Sequence, residues 1–337
     1  MEASVNKWKY ANKNMMKCIN YSNMKFKSIR IFFLFICCIL FVSLHGYGQN
    51  FTVIKSKQGV EILEKGKKVL FYQQQPKSVN GKYERAGYIH PLYSLDEKIL
   101  TEESPEDHPY HRGIFWAWHQ IILNNKKIAD GWVSENISFG PAKVVVHTTN
   151  KTISLHAEML WKYLPEKKKP QAIIRENTKI TVHKSTDHYR AIDFDIRLYP
   201  LLHSLKIGGA DDIKGYGGFC LRLKLPDDIS FVSKNGEVIP KETAIDAGPW
   251  VDFIGSFGGK DSNKTGVAVF CDPYFPRSIQ KWILRKKGSM QNIAYPGRTP
   301  IAIPEKGLRL KYRLIIHDDK ISDKDLENLY QQYAGRP

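Results

Sequence analysis

Leu308-Arg309-Leu310-Lys311-Tyr312-Arg313-Leu314 alternates apolar and polar residues without a break, and so does Thr178-Lys179-Ile180-Thr181-Val182-His183. A strand sends successive side chains to opposite faces, so period-two alternation describes a ribbon with one dry face and one wet face. Similar runs stand at Phe51 to Lys55, Val60 to Leu63, Lys68 to Tyr72, Ala142 to His147, Thr152 to Leu160, Ala172 to His183, Tyr189 to Leu198, Phe219 to Leu225, Gly266 to Phe270 and Leu308 to His317. Gly, Pro, Asn and Asp separate them, and this spacing predicts an all-β fold, a large antiparallel β-sandwich. No βαβ rhythm interrupts the series, and Gly215-Tyr216-Gly217-Gly218 lacks the strand–turn–helix setting of a phosphate loop. One helix is expected, at the end of the chain. Ser322 and Asp325 are spaced as a capping pair, and Leu326, Leu329, Tyr330 and Tyr333 share one helical face. With no long linker, repeat or low-complexity tract, residues 49–337 are expected to form one domain.

The amino terminus sets the expected compartment. Met24 to Arg30 is a basic stretch, Ile31 to Leu44 an apolar run, and His45-Gly46-Tyr47-Gly48 a small and polar close. That succession predicts a cleavable export signal ending near Gly48, with a periplasmic or secreted mature chain. The apolar core is short for a spanning helix, and Met24 is a better-placed start than Met1 for such a signal. No stable membrane anchoring is expected after cleavage.

The first 48 residues carry seven Lys/Arg and one acid, so the formal net charge of +17 falls to +11 in the mature chain. A basic balance favours anionic partners, acidic glycans among them. Nucleic acid is not expected, because no dense Arg/Lys array interleaves with aromatics. Lys167-Lys168-Lys169 lies between Pro165 and Pro170 and reads as a solvated hairpin tip. Only Cys220 and Cys271 survive cleavage; both lie in apolar runs, where a thiol behaves as a small hydrophobe.

The densest chemistry lies in Asp107-His108-Pro109-Tyr110-His111-Arg112-Gly113, which runs into Ile114-Phe115-Trp116-Ala117-Trp118-His119. The proline between the first two histidines disfavours helix, and a loop can turn both imidazoles to one side. Histidine titrates near neutral pH, and arginine is the fork-shaped donor for planar anions and hydroxyl pairs. His108, His111, Arg112 and His119 are therefore candidate catalytic groups. Trp116 and Trp118 are candidate faces for a sugar ring.

Further candidates come from other segments. Glu176, just before an alternating strand, is either a general acid or base on a concave sheet face or an exposed strand carboxylate. Arg222 is either a ligand for a substrate carboxylate or a salt-bridge partner. Asp246 and Trp250 flank Gly248-Pro249 and would place an acid beside an indole at a cleft rim. His90, before Pro91, is a fourth imidazole for substrate binding.

Gly87-Tyr88-Ile89-His90-Pro91-Leu92, the Asp107 to Gly113 motif, Phe115-Trp116-Ala117-Trp118-His119, Gly215 to Arg222, Trp250-Val251-Asp252-Phe253 and Gly266 to Phe270 with Asp272-Pro273 together resemble the bacterial PmoA-like family. That family is a domain of unknown function labelled "methane oxygenase PmoA". The resemblance covers nearly all of the mature chain. It implies an exported protein of Bacteroidota type, a sandwich similar to galactose mutarotase-like domains, and a part in glycan use. Where family members often carry His-Pro-His-His-Arg, this chain has Tyr110. Methane oxidation itself is not expected: a particulate oxygenase subunit spans the membrane several times, and nothing after Gly48 offers about 18 consecutive apolar residues.

Three readings stay open. Imidazole and carboxylate groups would exchange protons with a sugar or sugar derivative while Arg112 holds an oxyanion, as in epimerase, lyase or hydrolase chemistry without a cofactor. Alternatively, His108, His111 and His119 or His90 would hold a divalent metal with one open position. In the third, Trp116, Trp118 and Trp250 form the platform of a non-catalytic glycan-binding module.

Overall fold

The computed structural model describes residues 50–260, 262–274, 281–288 and 290–335; the expected leader and its cleavage point after Gly48 lie outside them. Asn50–Pro337 cluster as one compact unit. The alternating runs form antiparallel strands in two large sheets. The eight-stranded sheet runs in the order β1 (Phe51–Lys55), β2 (Gly59–Glu64), β3 (Lys67–Gln73), β6 (Tyr88–Leu92), β7 (Ile114–Trp118), β16 (Gly217–Leu221), β22 (Gln291–Ala294), β21 (Lys281–Ile283). The larger sheet centres on β12 (Thr152–Tyr163), β13 (Gln171–His183), β14 (Tyr189–Pro200), β24 (Leu308–Asp318), β20 (Thr265–Cys271) and β19 (Trp250–Gly255), with β11 (Lys143–Thr148) paired to β12. The all-β sandwich expected from the alternation is the fold observed. Lys167 to Lys169 occupy the exposed connection between β12 and β13. Among the described residues no helix is long and apolar enough to cross a membrane.

The sheets share one apolar layer. Phe219 of β16 stacks on Tyr312 of β24 at 4.4 Å between ring centroids, Phe194 of β14 meets Phe219 at 5.1 Å, and Trp118 meets Trp161 at 6.1 Å. At the edge of this layer Arg190 of β14 donates to Glu64 of β2 at 3.0 Å, with both side chains almost fully buried. Cys220 and Cys271 are buried in different sheets and are not bridged.

Each sheet also carries a cover on its outer face. On the larger one, α1 (Asp323–Ala334) starts with the expected capping box of Ser322 and Asp325 and buries Leu326 and Tyr330. Trp250 and Phe270 lie beneath it. On the smaller one, the loops around residues 101–113 and 130–133 cover Tyr88, Phe115, Ala117 and Cys220.

The Glu64–Arg190 pair generates a stability prediction, because removing one member leaves the other charge buried and uncompensated. Arg190→Met is expected to cost about 3–5 kcal/mol in urea unfolding, and Glu64→Leu/Arg190→Met to recover most of it. Equal destabilisation by the single and double variants would show that packing alone sets the cost.

Candidate functional site

Two arginines shape the His-Pro-Tyr-His-Arg-Gly segment. The loop closes on itself through His108 N–H to the Pro105 carbonyl at 3.1 Å, His111 N–H to the His108 carbonyl at 2.9 Å and Ser104 N–H to the His111 carbonyl at 2.9 Å. Arg112, buried, fills the loop's underside. It donates to Ser104 Oγ at 2.6 Å, to the Pro109 and His111 carbonyls at 2.9 Å each, and to the Tyr83 carbonyl at 2.7 Å. Both terminal nitrogens are spent on the chain itself and Nε is buried, so the expected oxyanion role is corrected to that of a loop staple. Gly113 returns the chain to the sheet: a Cβ there would stand 2.2 Å from the Ile89 carbonyl oxygen, a distance no side chain tolerates.

Arg222, just past β16, fixes the upper side. Its Nε donates to Glu102 at 2.9 Å, one terminal nitrogen to the Gly288 carbonyl at 2.8 Å and to His111 Nδ1 at 3.3 Å, and the other to Asp107 at 3.1 Å. Arg222 therefore acts as a salt-bridge partner within the chain. A guanidinium has no acceptor, so His111 must offer a lone pair at Nδ1 and carry its proton on Nε2. Burial, then the charges of His108 and Arg222, push the His111 pKa down to about 2. His111 is neutral at any ordinary pH.

His108 lies face to face on His111, ring centroids 4.6 Å apart and planes 3° from parallel. Its Nδ1 stands 2.8 Å from Asp107 Oδ2, and the side chain keeps about a third of its surface exposed. Burial raises the Asp107 carboxyl, but the His108 ring and the Arg222 charge outweigh it and hold Asp107 below the usual carboxylate range. The contact is at ion-pair distance but lacks hydrogen-bond alignment, so it sets a carboxylate beside the ring without fixing its tautomer.

A second imidazole is hydrogen-bonded to its carboxylate. His119 follows β7, and its Nδ1 lies 2.9 Å from Asp130 Oδ2. The other Asp130 oxygen accepts from the Trp132 and Val133 backbone amides at 2.9 and 3.3 Å. Burial raises Asp130, and the His119 hydrogen bond, followed by the His119 and Lys127 charges, carries it below the usual range. The His119 ring stacks on Trp132 at 5.0 Å, and His111 meets the same indole edge-on at 5.9 Å. Trp132 thus contacts His119 with its face and His111, the ring on which His108 is stacked, with its edge. Tyr110 and Tyr83 on the His108 side and Tyr216 on the Trp132 side supply aromatic rims.

Of the candidates read from sequence, His108, His111, His119 and Arg222 come together, with Arg112 beneath them as the staple of their loop. The rest do not. Glu176 is neither a cleft acid nor exposed: it lies in the inter-sheet core, accepting from Trp161 Nε1 at 2.9 Å and Thr178 Oγ1 at 2.8 Å, with a further bond from Trp116, and burial raises its pKa. The inward parity of β13 put it there. Trp116 and Trp118 alternate inward on β7 into the same core, and Trp118 donates to the Tyr295 carbonyl at 2.7 Å. Neither can be a platform. Trp250 is sealed beneath α1, donating to Glu327 at 2.7 Å, and Asp246 is exposed beside Lys281 at 3.8 Å. His90 bonds Thr101 Oγ1 at 3.0 Å; burial lowers its pKa, and its charged neighbours are Glu103, Lys77 and Arg112. Sequence reasoning missed Asp130 and Trp132, eleven and thirteen residues beyond His119 across the hairpin of β8 (Gln120–Leu123) and β9 (Lys126–Ala129). Asp130-Gly131-Trp132 was the available signal.

In this arrangement the three imidazoles of the metal reading do not converge on one point. Parallel stacked rings cannot aim lone pairs at one ion, His111 Nδ1 faces a guanidinium, and His119 lies across an indole. Among the described residues no three His, Cys, Asp or Glu side chains gather as a metal-holding group.

The chain belongs to a family of unknown function (DUF6807), whose family model matches residues 59–331 and so spans every candidate from His90 to Trp250. No curated protein matches the chain.

The neutral, buried His111 has a measurable consequence. Below the ordinary histidine pKa of about 6.5 the unfolded chain takes up a proton that the folded chain refuses down to about 2, so stability falls as pH falls through this window. His111→Phe keeps a stacked ring and abolishes this loss. Between pH 7.5 and 5, urea titrations are expected to show the native protein losing about 2 kcal/mol more than the variant. Parallel pH profiles would refute a neutral His111.

Proposed function

We propose that this is an exported carbohydrate-active protein that carries out acid–base chemistry, of the epimerase, lyase or hydrolase type, on a glycan or small anionic sugar derivative. The observation that carries this reading is the pair of partly exposed imidazoles, each beside a carboxylate: His108 with Asp107 2.8 Å from its Nδ1, and His119 hydrogen-bonded to Asp130, with the His111 ring and Trp132 between them in contact. An imidazole beside a carboxylate can act as base or acid on a substrate, and each proton transfer of this kind contributes about 10²–10⁴-fold. Arg222 and His111 form the rigid bed on which His108 rests. Tyr83, Tyr110 and Tyr216 offer flat apolar faces suited to a sugar ring, a role the sequence reading gave to the buried tryptophans. The non-catalytic glycan-binding alternative loses its platform with Trp116, Trp118 and Trp250 in the interior.

The test is a screen of the purified protein against neutral and acidic oligosaccharides, with products identified by mass spectrometry and NMR. On any substrate converted, His108→Ala and His119→Ala are each expected to reduce kcat/KM by at least about 100-fold while leaving thermal unfolding nearly unchanged. Full turnover by both variants would overturn the assignment.

A further inference from the structure

The outer face of the larger sheet carries side-chain rows that the histidine site does not use. Cross-strand register aligns Val145, His156, Lys179, Asp195 and Lys311 in one straight row over β11, β12, β13, β14 and β24. The row on one side is Lys143, Glu158, Asn177, Arg197 and Arg309; on the other it is His147, Ser154, Thr181, Asp193 and Arg313. Two adjoining cavities of about 550 and 190 Å³ follow these rows and share Lys179 and Asp195. Five strands at about 4.8 Å spacing make a trough about 19 Å across.

Its charges are unevenly matched. Asp193 is taken by Arg313 at 2.8 Å and His183 at 2.7 Å. Asp195 lies between Lys179 and Lys311 in register, yet its oxygens go to Arg309 at 2.9 Å and Arg197 at 3.4 Å. Lys179 and Lys311 therefore have no carboxylate partner among the described residues. Asn177 Oδ1 is buried without a hydrogen-bond partner. Tyr199 stands at one end of the trough and Tyr274 and Tyr333 at the other.

We propose that this trough binds an acidic oligosaccharide, carboxylated or sulfated, at a site separate from the histidine cluster. Apart from the edge strand β11, these strands are interior to the sheet with their backbone groups already paired, so a ligand over them must be read by side chains. Unpaired ammonium groups match ligand anions. Carboxylates, an amide and hydroxyls interspersed among them match ring hydroxyls and would repel a polyphosphate. Tyrosines at both ends suit the flat faces of sugar rings. The trough lies on the opposite sheet from His108, so its binding does not depend on the proposed chemistry there.

The test uses the full mature chain with polygalacturonate and heparin as acidic probes and dextran as the neutral one, measured by affinity electrophoresis and titration calorimetry. Binding to at least one acidic probe and not to dextran is expected. Lys179→Gln/Lys311→Gln should weaken it by at least tenfold, and Asn177→Ala/Tyr199→Ala should weaken it without changing charge. Lys224→Gln/Lys260→Gln, which removes the same charge elsewhere on the surface, should leave it within twofold. The His108→Ala variant should bind as the unaltered protein does. Failure to bind either acidic probe, equal losses in the two lysine pairs, or undiminished binding by the trough variants would each overturn the proposal.

Discussion

Every long strand of this protein has one face pressed against the opposite sheet, and that shared interior is dry. A polar group sent there by the pleat must find partners or carry a large desolvation cost. Glu176 meets the requirement with two indoles and a hydroxyl, and Glu64 and Arg190 meet it with each other. Groups committed in this way are structural. Chemistry that needs water or a ligand is thereby driven to the outer faces and the loops, where both the histidine cluster and the charged trough lie.

On the outer face of the eight-stranded sheet two guanidinium groups organise the loop. Arg222 holds Glu102, Asp107, His111 and the Gly288 carbonyl at once. Its fork geometry sets the tautomer of His111 and directs the Asp107 carboxylate toward both Arg222 and His108. Arg112 does the corresponding work from below with four bonds to the loop and to Tyr83. The segment most crowded with polar groups is thus also one of the most cross-braced, which is what a preorganised proton-transfer site requires.

Period two told the fold. The ten runs read from alternation and turn residues coincide with long strands of both sheets, and the capping pair at Ser322 located the helix. Short strands such as β4 (Lys77–Val79), β18 (Gly236–Glu237) and β23 (Ile301–Ala302) hold too few residues to display a period. The site was legible where chemistry is concentrated locally: His108, His111 and His119 stood out by density alone. It was not legible where face parity decides. Trp116 and Trp118 lie two residues apart on one face of β7, and that face is the core; nothing in the strand itself states which side its partner sheet occupies. Asp130 and Trp132 reach the site only by folding back across a hairpin. Arg112 looked like a catalytic oxyanion holder because the residue type suits that role, but its position inside a tight loop gave it backbone carbonyls to satisfy.

The central claim is that the loop holds one neutral imidazole, fixed by Arg222, beneath a partly exposed one that lies beside a carboxylate. Long-range ¹⁵N–¹H NMR of the histidine rings at pH 5 tests it most directly. The account predicts that His111 remains neutral there with its proton on Nε2, and that Arg222→Gln releases this constraint. A His111 ring protonated on both nitrogens at pH 5, or carrying its proton on Nδ1, would contradict it.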